Sequence, residues 1–404
     1  MSSTSLLYHG FKMRNCKYVK TEFEGGDIIM HVVLKTHSCS SCGSHNITLE
    51  TPNRRKIQVL PIGMQEVYVE LDIYRANCKN CKSRETEQVD FLSHKKARIS
   101  KPFERMLCEL RSEMTINGIE RKYNVDWRTI KNCEKEYLKR KHKKPRLKHV
   151  IAIGIDEIYI CPKTKKYITI VRDLNTGAVL FIGEGRCKKT LEPFTKSLKH
   201  SKADIQTIAM DMSGPFKSWA KEFLPNATIV FDHFHIIKLM NDKVNKVRIR
   251  TLKELGEEEK SLLKGEKYLF LKGEERLEKK DFLKLDELRG IFKDLGEINI
   301  MKECLRGIYQ NVTNHKIAEN ELFNWCEMAE ESSINELKQM AKTIRNHMEG
   351  IIAFWKTDGV TNASMEGFNC KLRCLIKQAY GYRDMEYFYL KIYDLPQLKI
   401  KQVI

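Results

Sequence analysis

The sequence predicts a multidomain α/β protein, on three observations. Residues 149–235 alternate short apolar strands with amphipathic helices in the order β-β-β-α-β-α-β-α, and three strands carry or end in an aspartate. Two Cys-x-x-Cys pairs, separated by strand-like stretches, stand ahead of this region, and a long block of purely helical pattern follows it. The expected division is 1–95, β-rich and carrying the cysteine pairs; 96–148, helical with a basic linker; 149–245, the first part of an α/β core; 246–355, an α-helical insertion; and 356–404, the returning part of that core.

Composition narrows the function. A chain of 404 residues with a formal net charge of +19 is drawn to polyanions, most simply nucleic acid. No apolar run reaches the ~18–20 residues that span a bilayer, so no membrane partner is expected. MSSTSLLYHGFKMRNCKYVK has no signal-peptide core, which predicts a cytoplasmic protein, nucleoid-associated when on DNA. The 13 cysteines are odd in number and scattered outside the two pairs, a pattern of metal ligands and free thiols rather than a disulfide framework.

Taken in order, EFEGGDIIMHVVLK reads as a hairpin turning at Gly25-Gly26. Cys39 and Cys42 in HSCSSCGSHN, with Cys78 and Cys81 in RANCKNCKSR, have the layout of a zinc ribbon, in which each pair grips one side of a tetrahedral Zn2+. Thiolate softness favours one structural zinc there over Mg2+. A redox pair is the rival reading; His37 and His45 are spare ligands beside an already complete set. Over 98–140 the pattern is helical, with a turn at Tyr123–Asp126 and Asp126 capping a helix Trp127–Leu138. As a helix-turn-helix, its second helix offers Arg128, Lys131 and Lys135 to a DNA groove; an ordinary helical hairpin is the bland alternative. KEYLKRKHKKPRLKH, 135–149, is expected to stay extended and solvated through self-repulsion, with Lys139, Arg140, Lys143 and Lys144 neutralising phosphates.

Strands are expected over about His149–Ile160, Tyr167–Arg172, Ala178–Gly183, Ile205–Met210 and Ala227–Phe231. They bring Asp156 onto an apolar strand and place Asp211 and Asp232 at strand ends. A carboxylate on a hydrophobic strand needs a partner, although an acid after a strand also simply caps the next helix. Residues 251–353 read as charged amphipathic helices; Trp325 and Trp355, in or beside that stretch, are core residues or base-stacking platforms. A helix starting near Ala363–Ser364 would line up Glu366, Asn369, Arg373 and Lys377 on one face, and Arg383 follows in AYGYRD.

With these residues in view, the chain resembles the DDE transposases of bacterial insertion sequences, most of all the L-three (ISL3) family. The resemblance spans nearly the whole chain and rests on CxxC…CxxC, IGIDE, MDMSGPFKSW, FLPNATIVFDHFH and TNASMEGFNCKLR…AYGYRD in that order. One small departure is Phe223-Leu224-Pro225, where the family has a Phe-Pro step. The resemblance implies a ribonuclease-H-like domain with a mixed five-stranded sheet, order 3-2-1-4-5, interrupted by an all-α insertion. It also implies cutting and joining of element ends in double-stranded DNA, with transposon ends and target as partners.

In-line phosphodiester chemistry of this kind uses two divalent ions about 3.5–4 Å apart. Hard Mg2+, with Mn2+ able to take its place, calls for carboxylates. Asp156, Asp211 and Glu366 are the expected ligands and catalytic residues. Asp232, His235 and Asn369 are expected to support them, and Arg373, Lys377 and Arg383 to hold DNA. Asp211 is preferred to Asp232 because strand four lies beside strand one in that order. Acting on two ends suggests a homodimer in the DNA complex. The rivals are a catalytically silent DNA-binding regulator of the same descent and a metal-dependent nuclease acting on RNA.

Overall fold

The computed structural model describes residues 6–161, 166–357 and 363–397, and the chain divides into two compact units, 1–143 and 144–404. The first unit opens with a single helical turn, α1 (Leu6–His9), and the hairpin β1 (Cys16–Glu24) and β2 (Asp27–Leu34). The turn falls at Gly25-Gly26, as the sequence predicts. β3 (Ile47–Leu49), β4 (Asn53–Gln58), β5 (Val67–Ile73), β6 (Arg75–Cys78) and β7 (Arg84–Thr86) complete two sheets, ordered β1-β2-β5-β4 and β3-β6-β7. The larger sheet buries every second residue of β5, Val67, Val69, Leu71 and Ile73, against Phe11, Ile57 and Phe91. The smaller one carries the cysteine pairs.

Three helices close this unit: α2 (Lys101–Leu110), α3 (Ile116–Tyr123) and α4 (Trp127–Lys141). Each starts on a side-chain cap, from Ser100, Thr115 and Asp126 respectively, and they share a core of Phe103, Leu107, Ile119, Val125 and Ile130. Glu134 is buried in α4 against the Arg111 guanidinium at 2.8 Å. The expectation of an extended segment over 135–149 is corrected here, since α4 continues to Lys141. Buried Leu138 anchors that last stretch, Glu136 pairs with Lys139 at 3.2 Å, and basic residues at a helix C-terminus are favoured by its dipole. Helical propagation therefore outweighs the repulsion over these seven residues.

The second unit is built on one mixed sheet. Its strands are β8 (Ala152–Cys161), β9 (Lys166–Asp173), β10 (Val179–Glu184), β11 (Thr207–Met210) and β12 (Thr228–Phe231), ordered β10-β9-β8-β11-β12. The first three pair antiparallel, and β11 pairs parallel with both β8 and β12. α5 (Glu192–Ser201), α6 (Gly214–Phe223) and α7 (His233–Glu254) join and follow the later strands. Next come α8 (Glu257–Leu263), α9 (Lys267–Leu271), α10 (Lys279–Ile291), α11 (Lys293–Asn311), α12 (His315–Glu331) and α13 (Asn335–Lys356), and then α14 (Ala363–Gln378) and α15 (Met385–Asp394).

Alternation along the strands sends residues to two different cores. Ile153, Ile155, Ile208, Met210 and Phe231 pack with α5–α7 and the helical block. Ile158, Ile168, Ile170 and Val179 face the other way, onto Met365, Phe368 and Leu372 of α14 and Phe388 and Ile392 of α15. The helical block shares its core with the sheet, and α7 runs unbroken across residues 245 and 246. Trp325 and Trp355 belong to that core, each indole N–H donating at 2.8 Å to a backbone carbonyl, Met301 and Val312 respectively. Their expected alternative as base-stacking platforms is thereby corrected: both rings are enclosed.

Block and sheet pack tightly at Gly350 of α13, where a β-carbon would stand 2.5 Å from the Phe231 ring. Gly350→Val is expected to destabilise the protein by about 1–3 kcal/mol, as overpacking does. Urea unfolding of the two proteins measures it.

Candidate active site

Three acids stand in one row because of register. The parallel ladders pair Met210 with Ile155 on one side and with Phe231 on the other. The next residue on each strand is an aspartate: Asp156, Asp211 and Asp232. Met210, Ile155 and Phe231 point into the helical core, so alternation turns the three acids to the face covered by α14. A cavity of about 340 Å³ opens there, lined by Asp156, Glu157, Asp211, Asp232, Phe234, His235, Lys238, Glu366, Asn369 and Arg373. The fold thus gathers Asp156, Asp211, Glu366, Asp232, His235, Asn369 and Arg373 from positions spread over more than half the chain. Lys377 and Arg383 are exposed and lie outside this lining.

Asp156 is buried and doubly held. Its Oδ1 accepts the Glu157 amide at 2.8 Å and its Oδ2 accepts from Nδ2 of Asn369, one turn beyond Glu366 on α14. Burial pushes its carboxyl above the usual range and Asp211 adds to this, while Asn369, the Glu157 amide and His235 pull it down. Asp211 is likewise raised by burial, against His235 and the Ser213 amide, which donates to its Oδ1 at 3.1 Å. Asp232 is 3% exposed and caps α7 by accepting the Phe234 amide at 3.1 Å. Asn369 Oδ1 is buried and has no hydrogen-bond partner among the described residues.

Sequence reasoning missed Glu157, Phe234 and Lys238. Strand alternation assigns Glu157 to the opposite face from Asp156, yet it lines the cavity, and burial and Asp211 raise its carboxyl. The other two had a signal: Phe234, His235 and Lys238 share one face at the start of a helix capped by Asp232.

The second chemical centre is in the first unit. Among the described residues, Cys39, Cys42, Cys78 and Cys81 are the one group of three or more His, Cys, Asp or Glu whose ligand atoms all lie within 4.8 Å of one another. The two knuckles repeat each other. The Cys39 amide donates to the Ser44 carbonyl at 2.8 Å and the Cys78 amide to that of Ser83 at 2.9 Å. A left-handed residue follows each second cysteine, Gly43 at φ 73° and Lys82 at φ 56°. The Ser83 hydroxyl and nearby amides lower the Cys39 thiol to about 6. At Cys42 the Ser44 amide pulls downward, but the Cys81 and Cys78 sulfurs outweigh it and push the thiol up to about 12. Four crowded thiols cannot all ionise alone, and a divalent cation among them removes the conflict. The spare histidines are engaged elsewhere: His37 with Glu87 at 2.9 Å and His45 with the His37 carbonyl at 2.7 Å.

Comparison with known proteins places the chain in a family. Residues 153–392 match a family described as "Transposase", the DDE transposases of ISL3 type. Residues 35–81 match the "zinc-finger of transposase IS204/IS1001/IS1096/IS1165". An acid-bearing α/β unit matched over this length, with a four-cysteine module ahead of it, defines a DDE transposase with a zinc ribbon. The chain belongs to the ISL3 family of insertion-sequence transposases.

Among its relatives, the transposase of insertion sequence element IS1001 from Bordetella parapertussis is 26% identical over 371 residues, covering 90% of each chain. That of IS1557 from Mycobacterium tuberculosis is 24% identical over 255 residues, 57% of this chain and 56% of its own. The Drosophila P element transposase strand transfer complex aligns with a TM-score of 0.40 and 8% identity, over 74% of this chain and 92% of that one. Among the described residues no helix is long and apolar enough to cross a membrane.

Proposed function

We propose that the chain binds the terminal inverted repeats of its insertion sequence as double-stranded DNA, and cleaves and joins those ends in a Mg2+-dependent reaction at Asp156, Asp211 and Glu366. The observation that carries this reading is the row of strand acids facing a helix that brings Glu366 and Asn369 to the same cavity. The donor set suits hard cations. It offers carboxylate oxygens and a buried, unpartnered amide oxygen, Asn369 Oδ1, and no sulfur or neutral imidazole is needed. The raised Asp156 and Asp211 have the same cause, burial of negative charge that a divalent ion offsets. The strand order β10-β9-β8-β11-β12 supports reading this unit as a ribonuclease-H-like core, with 246–355 proposed as its insertion and 356–404 as its return.

Asp211 is the second catalytic aspartate in this reading. It is one strand away from Asp156, about 5 Å, whereas Asp232 is two strands away, about 10 Å, and is committed to capping α7. Asn369 and the Glu157 amide hold Asp156 in orientation, and the Ser213 amide does the same for Asp211. Lys238 and Arg373 bring positive charge to the cavity, where a phosphate backbone would lie. When bound, two Mg2+ (or Mn2+) activate the attacking water or 3′-hydroxyl and neutralise charge on the scissile phosphate. No covalent bond to the protein is required.

The first unit supplies DNA binding. One structural Zn2+ on Cys39, Cys42, Cys78 and Cys81 would fix the ribbon. α3 and α4, joined at left-handed Asn124, act as a helix-turn-helix with Arg128 exposed at the start of the second helix. Lys131, Lys135, Lys139 and Arg140 along that helix, then Lys143 and Lys144, add phosphate contacts. A homodimer would present two such units to two ends.

The test is cleavage of an end-labelled duplex carrying the element's own terminus. Nicking to a 3′-hydroxyl is expected with Mg2+ or Mn2+ and none in EDTA. A duplex that is bound but never cut under these conditions would reduce the chain to a zinc-bearing DNA binder.

A further inference from the structure

Tyr380 is the most exposed large hydrophobic side chain among the described residues, at 101%, ahead of Met64 at 89% and Phe23 at 76%. It also sits where a side chain is unwelcome. α14 ends in a Schellman turn: the Gly381 amide donates to the Ile376 carbonyl at 3.0 Å, which puts Tyr380 at the left-handed position usually given to glycine. Its φ is 52°. Among the described residues, the other non-glycine positions with positive φ are three lysines, Lys12, Lys82 and Lys202, and Asn124. Those side chains are polar and at home in water; an aromatic ring is not. Neither packing nor backbone preference accounts for a tyrosine here, and strain of this kind points to a surface that works.

The surroundings name the partner. From Gly367 to Arg383 the sequence holds Lys371, Arg373, Lys377 and Arg383 and no acid. Lys377 and Arg383 bracket the ring at three residues on either side, both exposed. The same helix brings Glu366 to the acidic cavity and Arg373 beside it. Fourteen residues separate Glu366 from Tyr380, about 20 Å of helix, or about six base pairs of duplex.

We propose that Tyr380 is a stacking residue for a nucleobase of the bound DNA, with Lys377 and Arg383 on the flanking phosphates. Basic groups with an interposed aromatic ring form a nucleic-acid surface, and the ring takes the π face of a base that has left the duplex stack. The inference rests on the DNA reading above and adds a contact that neither the acids nor the N-terminal unit supplies.

The test uses the full chain and a fluorescein-labelled duplex of the element's terminus. It carries 2-aminopurine reporters walked outward from the cleavage point to beyond six base pairs. Wild type is expected to change the emission of one reporter as that base leaves the duplex stack and lies on the ring, and Tyr380→Phe to preserve this change. Tyr380→Gly is expected to bind about tenfold more weakly and lose the change, while its thermal unfolding midpoint is unchanged or higher, because glycine fits the turn. A glycine variant that binds and alters the reporter like wild type overturns this inference and leaves the DNA reading standing. A wild type that binds none of these duplexes removes both.

Discussion

Asp211→Asn is expected to lower end cleavage by about a thousandfold or more, while binding of the end duplex stays within a few-fold of wild type. Withdrawing one carboxylate from a two-ion centre removes several kcal/mol of transition-state stabilisation, and each 1.36 kcal/mol is tenfold in rate. Binding survives because the amide keeps the size of the acid and loses only its charge. Asp232→Asn is the matched control. Asp232 spends an oxygen on the Phe234 amide at the start of α7, and an asparagine caps a helix about as well. Single-turnover cleavage with gel-shift binding on the same preparations separates the two. An active Asp211→Asn enzyme beside a dead Asp232→Asn enzyme would exchange their roles.

Replacing Cys42 with serine, or stripping metal with a strong chelator, is expected to unfold the ribbon and abolish specific binding of the element's end. Structural zinc in small modules contributes roughly 10–16 kcal/mol of apparent binding energy to folding. The three strands that carry the knuckles are short: β3 and β7 have three residues each and β6 has four. Such a sheet has little apolar area of its own to hold it together. The unit from 144 onward has its own hydrophobic cores and is expected to keep its thermal transition. Metal content by emission spectrometry, with proteolysis mapping inside residues 35–95, reads both halves. A metal-free protein with a protease-resistant ribbon would contradict the assignment.

Much of this was legible in the sequence because the signals are local. Alternating apolar strands interrupted by Asp156, Asp211 and Asp232 gave the sheet to within two or three residues, and spacing on α14 gave Glu366, Asn369 and Arg373 one face. What was not legible depends on packing between distant segments. Nothing in a charge run says that Leu138 finds a core and draws the helix on to Lys141. Glu157 was hidden by the same alternation that revealed Asp156. Helical periodicity marked 246–355 as an all-α insertion but not its seat, which Gly350 against Phe231 puts on the strand leading into Asp232. The enclosure of Trp325 and Trp355 has the same origin: their partners, Met301 and Val312, lie 24 and 43 residues away.

The hydrogen bond from Asn369 to Asp156 ties together residues 213 positions apart. At bacterial translation speeds of about 5–20 residues per second, the ribosome needs roughly 10–40 s to travel from one to the other. On the proposed DNA-binding reading, the N-terminal unit would be synthesised and able to meet an element's end while the pocket is still half made. A nascent or truncated chain that stops short of α14 would occupy an end without cutting it. On that reading, such fragments would compete with the full-length chain for the same ends.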